Sequence, residues 1–247
     1  MRGQRSTVRA QLRAVHQPHE VADTYTNYFG NRLPFTMAIL HRATLTPSKL
    51  EILTAHLQTF ASVRELSPAQ VELLGAYRFD DPAGDVGIES HLVGVGSDVV
   101  VHVPLTYRGA PVPGAEQWLI ATMDHSVLGP RWVYDACCDP VYVQELVRAI
   151  LTGGTQVDQY VETEDGPILR PSSAAVSGSG VASAPVPVID SVGCTRTGDD
   201  SVIAAGGREV VVHHVLHRER VPLDAAPSTL SGTWPGVDQP VVLSFLR

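Results

Sequence analysis

The chain has 247 residues, enough to bury one sizeable hydrophobic core. Its 44% hydrophobic and 18% charged residues are typical of a globular protein, and it contains no apolar run of about 18 residues that would predict a membrane span. The net charge of −8 argues against a sequence-independent nucleic-acid role, because neutralising phosphates requires clustered Lys and Arg.

The cysteines favour a reducing compartment. Cys137 and Cys138 are neighbours, and neighbouring cysteines rarely bridge each other because their side chains point in different directions. With three cysteines, a disulfide framework would also leave one thiol free. Residues 1–31 contain no apolar signal core. We therefore expect a cytoplasmic protein.

The amino-terminal residues 1–36 show neither periodicity nor a core pattern. We expect them to be disordered or an upstream extension, and either Met1 or Met37 could be the true start. From Met37 an apolar, strand-like run leads to a predicted helix. Thr46 is a suitable N-cap for this helix and Pro47 suits its first position. The apolar residues that follow at helical spacing are Leu50, Leu53, Leu57 and Phe60.

Alternating apolar and polar residues predict three strands next, at 74–80, 86–93 and 98–107. Residues 81–85, DPAGD, have the composition of a turn between the first two. The alternation predicts a single core face made of Tyr77, Phe79, Val86, Ile88, Leu92, Val99, Val101, Val103 and Leu105.

A polar cluster is expected on the opposite face of this sheet. In the simplest antiparallel register Glu89 lies opposite His102, with Arg78 and His91 nearby. Two interpretations stay open: a solvated face with cross-strand charge pairs, or a binding face for a sugar, a phosphate or a partner domain. Histidines would make such a face sensitive to pH near neutrality.

The stretch MDHSVLGPRWVYDACCDPVY (123–142) concentrates residue types that often occur in active sites. Its spacing matches no paired metal-ligand signature, so we predict no metal site. Asp139 and Pro140 are most simply the start of a helix. We predict no catalytic residue here, but keep His125 and Asp135 as residues that could contact a ligand or partner.

The remainder of the chain is predicted to be a helix, a linker and a set of strands. The helix that starts at Pro140 ends at Gly153-Gly154. Residues 171–187 are small, flexible and nearly free of charge, as in a linker. We predict a main domain over 37–170, a flexible linker over 171–187, and a short β tail over 188–247 that could complete the sheet.

Three stretches together resemble a known family: HRATLTPSKLEIL, the long segment from YRFDDPAGDVGIESHLV to DACCDPVYV, and LSGTWPGVDQPVVL. They are similar to the maltokinase N-terminal cap-like family, in particular to its short stand-alone actinobacterial members that lack the kinase lobes. The resemblance implies an α+β fold, with a curved antiparallel sheet packed against two or three helices in a cystatin-like cap. It also implies a place in α-glucan, maltose or trehalose metabolism.

A kinase that transfers a phosphoryl group needs a cation over the phosphates, Mg²⁺ ligands and a catalytic Asp. Lys49 is the only lysine, and neither a G-x-G-x-x-G loop nor a P-loop precedes it. We therefore carry over no catalytic residue and expect no cofactor, with ATP–Mg²⁺ only if the kinase alternative holds.

The sequence predicts a non-catalytic binding or accessory module that has a carbohydrate-metabolism enzyme or a kinase as its partner. It predicts neither nucleic-acid nor membrane binding. Two alternatives stay open: a component of an ATP-dependent sugar kinase, which would be a transferase, and a self-associating structural module.

Overall fold

The computed structural model describes residues 22–23, 38–41, 43–64, 71–96, 99–163, 166–217 and 228–247. These residues form two α-helices, α1 (Lys49–Leu57) and α2 (Pro140–Thr152), and short 3₁₀ helices at Glu116–Trp118 and Ala136–Cys138. Within the described ranges the strands are β1 (Ala22–Asp23), β2 (Ala38–His41), β3 (Leu45–Thr46), β4 (Val71–Phe79), β5 (Val86–Val95), β6 (Val99–Arg108), β7 (Leu119–His125), β8 (Gly129–Asp135), β9 (Gln159–Thr163), β10 (Gly166–Arg170), β11 (Ala175–Gly178), β12 (Val192–Thr197), β13 (Asp200–Ala205), β14 (Arg208–His213), β15 (Val215–His217), β16 (Ser228–Trp234) and β17 (Val237–Leu246).

The strands form three sheets. The largest is a curled half-barrel in the order β3-β7-β8-β6-β5-β4, with β15 also paired to β6. A six-stranded sheet has the order β11-β16-β17-β14-β13-β12, and a four-stranded sheet the order β1-β2-β9-β10. The pairing is antiparallel except between β2 and β9. The predicted α+β class with a curved antiparallel sheet is therefore confirmed.

The start of α2 agrees with its prediction, whereas the start of α1 does not. Asp139 caps α2 by accepting a hydrogen bond from the Val141 N–H at 3.0 Å, and Pro140 is the first helical residue. The predicted N-cap of α1, Thr46, is wrong, because this residue belongs to β3. Ser48 is the N-cap instead: its hydroxyl accepts from the Glu51 N–H, and the Glu51 carboxylate accepts from the Ser48 N–H at 2.8 Å. This reciprocal pair satisfies two N–H groups that the helix itself leaves without partners.

The half-barrel buries both of its faces, so the prediction of one core face is wrong. The hairpin pairs Val95 with Val99, and as a result Glu89 lies opposite Leu105 and not opposite His102. The pairing differs from the predicted one by three residues, an odd number that turns every side chain of β6 to the other face. Core residues on the α1 side include Leu53, Leu57, Phe60, Val93, Val101, Val103 and Leu105. Those on the α2 side include Tyr77, Ile88, Leu92, Tyr142, Leu146, Val210 and Leu243.

The segment predicted as a linker contains β11, which pairs with β16. Its glycines allow the backbone to lie directly on the last turn of α2. A Cβ atom at Gly178 would fall 1.9 Å from the Ala149 carbonyl oxygen, and one at Gly180 would fall 1.8 Å from that of Leu151. The small residues that suggest flexibility in the sequence therefore serve close packing in the fold.

Residues 188–247 supply five of the six strands of the second sheet, and β15 joins the same segment to the half-barrel through β6. The predicted extension 1–36 lies outside the described residues apart from β1. Neither of the described helices is long and apolar enough to cross a membrane.

Candidate functional site

The six candidate residues occupy three separate places. Arg78, Glu89 and His125 line a small cavity beneath α1, and His91 contacts it. His102 lies on the opposite face of the half-barrel, and Asp135 lines an open cleft on the outer side of α1. We call the first region the α1 cavity, lined by Leu45, Lys49, Arg78, Gly87, Glu89, Tyr107, Met123, His125 and Arg131.

Strand pairing and the capping of α1 together assemble the α1 cavity. Arg78 on β4 lies directly across from Glu89 on β5. Because Ser48 fixes the start of α1, Lys49 in the first turn extends over this pair, and its Nζ lies 2.7 Å from Glu89 Oε2. His91 Nε2 lies 3.5 Å from the same oxygen and 3.2 Å from the Tyr107 hydroxyl. The predicted cluster is thus a buried one and not a solvated face.

The charges in the α1 cavity are mutually compensated. Burial would raise the pKa of Glu89, but Lys49, His91 and Arg78 outweigh it and hold this pKa below its ordinary value. Burial lowers the pKa of His91 to about 4, so this imidazole is neutral at pH 7. The cavity measures about 20 Å³, which has room for about one water molecule and for no nucleotide or sugar.

His125 has a local structural role at the edge of this cavity. Its side chain is 4% exposed, and its Nδ1 accepts hydrogen bonds from the backbone N–H groups of Val127 and Leu128 at 3.2 and 3.1 Å. These bonds shape the turn between β7 and β8. The sequence did not predict this role, since neither residue type nor spacing indicates the turn.

His102 belongs to a second network, which connects the half-barrel to the six-stranded sheet. Its Nδ1 donates to the His213 carbonyl at 3.1 Å, and its Nε2 accepts from the Tyr77 hydroxyl at 2.9 Å. His214 mirrors this arrangement, with Nδ1 donating to the His102 carbonyl and Nε2 accepting from Ser201, each at 2.8 Å. Burial lowers the pKa of His102 to about 4, as expected for a neutral imidazole in a satisfied network.

The open region, which we call the α1 cleft, measures about 570 Å³. This volume lies within the range of small-molecule and peptide sites. One wall is α1 and the residues around it; the other is the segment that enters β7. The lining residues are Pro47, Glu51, Ile52, Ala55, His56, Thr59, Gln117, Trp118, Leu119, Ile120, Ala121, Asp135 and Arg196.

Asp135 is held in place at the base of this cleft. It caps the 3₁₀ helix by accepting from the Cys137 N–H at 3.0 Å, and it accepts from Arg196 Nη2 at 2.7 Å. The Arg196 guanidinium lies over the Phe60 ring, 4.6 Å from its centroid. Burial lowers the pKa of the neighbouring His56 to about 4, although the negative charge of Asp135 opposes this. The cleft therefore presents two carboxylates, Glu51 and the paired Asp135, together with one guanidinium and a neutral imidazole at pH 7.

Sequence reasoning missed three residues of the cleft: His56, Trp118 and Arg196. Asp135 and Arg196 are 61 residues apart, and their contact depends on how the six-stranded sheet meets the half-barrel. No local pattern carries that information. Across the described ranges, no group of three or more His, Cys, Asp and Glu side chains is arranged to hold a metal ion.

The curled antiparallel sheet with α1 on one face and α2 on the other defines this part of the chain as an α+β domain. Residues 58–139 match the family model of the maltokinase N-terminal cap domain. The match covers about a third of the chain, from the end of α1 to the residue before α2, and includes strands β4 to β8. The predicted resemblance is confirmed, and the chain carries a maltokinase-cap-related module. No curated protein matches the chain.

Proposed function

We propose that this protein is a non-catalytic accessory module that acts on or beside an enzyme of α-glucan, maltose or trehalose metabolism. The similarity of residues 58–139 to the maltokinase cap supports the metabolic setting. One observation supports the non-catalytic role: Lys49, the only lysine, forms a 2.7 Å ion pair with Glu89, and its side chain is only 12% exposed.

Phosphoryl transfer relies on positioned cations that neutralise charge developing on the transferred group. In the α1 cavity Lys49 and Arg78 face Glu89 in a space of about 20 Å³. Separating such a buried pair to receive a phosphate would expose each charge to a large desolvation cost. The charge cluster is therefore suited to fixing α1 on the sheet, and the accessible surface for a partner lies in the α1 cleft.

The alternative of an ATP-dependent sugar kinase component is distinguished by a direct assay. The full-length chain, incubated with ATP, Mg²⁺ and maltose, should yield no maltose phosphate by mass spectrometry. Product formation that is lost in Lys49→Met, but retained in a matched Arg64→Met variant at an exposed position, would establish a kinase and overturn the non-catalytic role.

The accessory role is tested by affinity capture with the full-length chain in native cell extracts. We expect recovery of an enzyme that phosphorylates, hydrolyses or transfers maltose or α-glucan units, and a change in its activity when the purified chain is added. Capture that recovers no such enzyme would overturn the proposal. Sedimentation that shows only self-association, without an enzyme partner, would favour the structural-module alternative.

A further inference from the structure

Among the described strands, β3 covers only a short part of one edge of β7. β3 pairs with only two residues of β7: Leu45 with His125 and Thr46 with Asp124. The chain then leaves the sheet at Pro47 and enters α1. On the other side, β7 remains paired with β8 down to Leu119. In the part of the chain that the structure describes, no strand pairs with β7 along Leu119–Met123 on the β3 side.

The direction of the backbone groups along this edge follows from the existing hydrogen bonds. Ser126 N–H donates to the Thr44 carbonyl at 3.0 Å, so Ser126 faces β3. In an antiparallel pair the residues that face a neighbour alternate, which also directs Asp124 and then Thr122 toward this side. Thr122 therefore offers one N–H donor and one C=O acceptor to whatever lies next to β7.

The α1 cleft opens directly along this edge. The facing wall contains Ile52 and Ala55 of α1, and the strand side contributes Ile120 and Ala121. The five residues Leu119–Met123 span about 17 Å at the rise of a β-strand. A strand added along this edge would lie between β7 and α1, and its alternate side chains would contact the apolar wall of α1.

The charges of the cleft give such a strand a preferred direction. A strand that continues the course of β3 runs antiparallel to β7, so it begins beside Pro47 and Glu51. It ends at the level of Leu119, in the cleft that Arg196 also lines. Asp135 uses one of the five N–H donors of that guanidinium. The complementary peptide has a basic group near its start and an acidic group or free carboxylate near its end.

We propose that the α1 cleft binds an extended, largely apolar peptide segment of a partner protein, which adds as a strand antiparallel to β7. The proposal rests on the accessory role and specifies its contact surface. Main-chain hydrogen bonds to Thr122 supply affinity, the apolar wall of Ile52 and Ala55 selects side chains, and Glu51 and Arg196 set the direction.

The test begins with selection of random heptapeptides against the full-length chain, followed by binding measurements on synthetic copies of the enriched sequences. Thr122→Pro removes the outward N–H, a substitution that an unpaired edge tolerates, whereas Thr122→Val keeps it. We expect enriched peptides to bind about tenfold more weakly to Thr122→Pro, corresponding to one lost hydrogen bond, and nearly unchanged to Thr122→Val. Hydrogen exchange should show protection of the Thr122 amide on peptide binding.

A second variant approaches the cleft from its other wall. Ala55→Trp places a large side chain in the space that the peptide would occupy, and Ala61→Trp adds the same side chain at an exposed position outside the lining. Binding should be lost in the first and retained in the second. Because these measurements use no enzyme, they stay informative even where no carbohydrate enzyme is captured.

Three results would overturn the proposal. The first is that no heptapeptide is enriched over a selection carried out against Ala55→Trp. The second is that enriched peptides bind Thr122→Pro as tightly as the unmodified chain, or protect amides away from β7. The third is a dimer of the unmodified chain that Thr122→Pro dissociates in sedimentation, because the occupant would then be a second copy of this chain.

Discussion

The two regions that flank α1 differ in accessibility and in what they leave unsatisfied. The α1 cavity measures about 20 Å³; in it Lys49 forms an ion pair with Glu89, and Arg78 lies directly across from Glu89 on the neighbouring strand. The α1 cleft is larger, about 570 Å³, and has mainly apolar walls next to an edge of β7 that no described strand covers along Leu119–Met123. Charged side chains pair with one another in the first region, whereas in the second the described strands leave part of one edge of β7 without a strand partner.

The comparison shows that a dense cluster of ionisable residues need not be a binding surface. Buried charges that compensate one another fix the position of an element, here α1 on the half-barrel. An open strand edge remains able to form new hydrogen bonds without breaking existing ones. Accessory binding is therefore expected at the cleft, and changes in the cavity are expected to affect stability first.

The largest effect is expected from Glu89→Gln in the α1 cavity. The substitution keeps the shape of the side chain but removes the negative charge that Lys49 and Arg78 face. Removing one partner of a buried ion pair lowers the free energy of unfolding by about 3–5 kcal/mol. Urea denaturation followed by circular dichroism at pH 7 measures this change.

The control is Glu72→Gln, at an exposed position of β4 in the same sheet, where we expect a change of about 0.5 kcal/mol or less. The double variant Lys49→Met with Glu89→Gln should be more stable than Glu89→Gln alone, because it removes a cation together with its counter-charge. Equal losses in the Glu72 and Glu89 variants would mean that the cavity does not hold α1 in place.

A smaller loss of stability is expected when the pH falls. The pKa of His91 is lowered by burial to about 4 in the folded chain, while an unfolded histidine titrates near 6.5. Between pH 6.5 and 4 the unfolded chain binds more protons at His91 than the folded chain does. The stability that comes from burying a neutral His91 is therefore fully present above about pH 6.5 and is lost as the pH falls toward 4. A shift of this size corresponds to about 3 kcal/mol or less.

Urea midpoints at pH 7 and pH 4.5 measure the loss, and His91→Gln should reduce the difference between them. His56 in the cleft and His102 between the sheets have similarly lowered pKa values and should act in the same window. A difference between the two midpoints that is unchanged in both His91→Gln and His56→Gln would contradict this origin of acid sensitivity.

The fold class and the second helix were predictable because their signals are local. Asp139-Pro140 and Gly153 mark the ends of α2 through capping chemistry that depends on neighbouring residues alone. The start of α1 was missed although its signal is also local: Ser48 and Glu51 form a capping box, and this pair competes successfully with the Thr46-Pro47 pattern.

The composition of the candidate site was only partly predictable. Arg78, Glu89 and His91 do lie together, because adjacent antiparallel strands bring them there in either register. The prediction that His102 lies beside them is wrong, because the hairpin turn between β5 and β6 is shorter than expected and shifts the pairing of β6. The sequence could not predict that Arg196 lines the cleft. Its contact with Asp135 joins two sheets and depends on no local spacing pattern.

In the cleft we expect a modest effect from Arg196→Met. This guanidinium pairs with Asp135 and lies over Phe60, but its side chain is 30% exposed, and solvent weakens such contacts. The free energy of unfolding should fall by about 1 kcal/mol, well below the effect of Glu89→Gln. The matched variant Arg148→Met, at a 49% exposed ion pair on α2, should change it by about 0.5 kcal/mol or less. A loss as large as that of Glu89→Gln would remove the distinction between cavity and cleft.

Substitutions of the thiols beside the cleft are expected to have the smallest effect on stability. The thiols themselves should differ clearly in their rates of alkylation. A hydrogen bond from Cys138 lowers the pKa of the half-buried Cys194, whereas burial raises the pKa of Cys137 in the core. Since the thiolate is the reactive form, iodoacetamide should modify Cys194 well before Cys137, as peptide mass spectrometry can follow over time. Cys194→Ser should abolish the fast phase, and Cys138→Ala should slow it because the hydrogen bond that favours the thiolate is removed. Alkylation of Cys137 at the same rate as Cys194 would contradict this prediction, because it would show that the core on the α2 side opens to solvent.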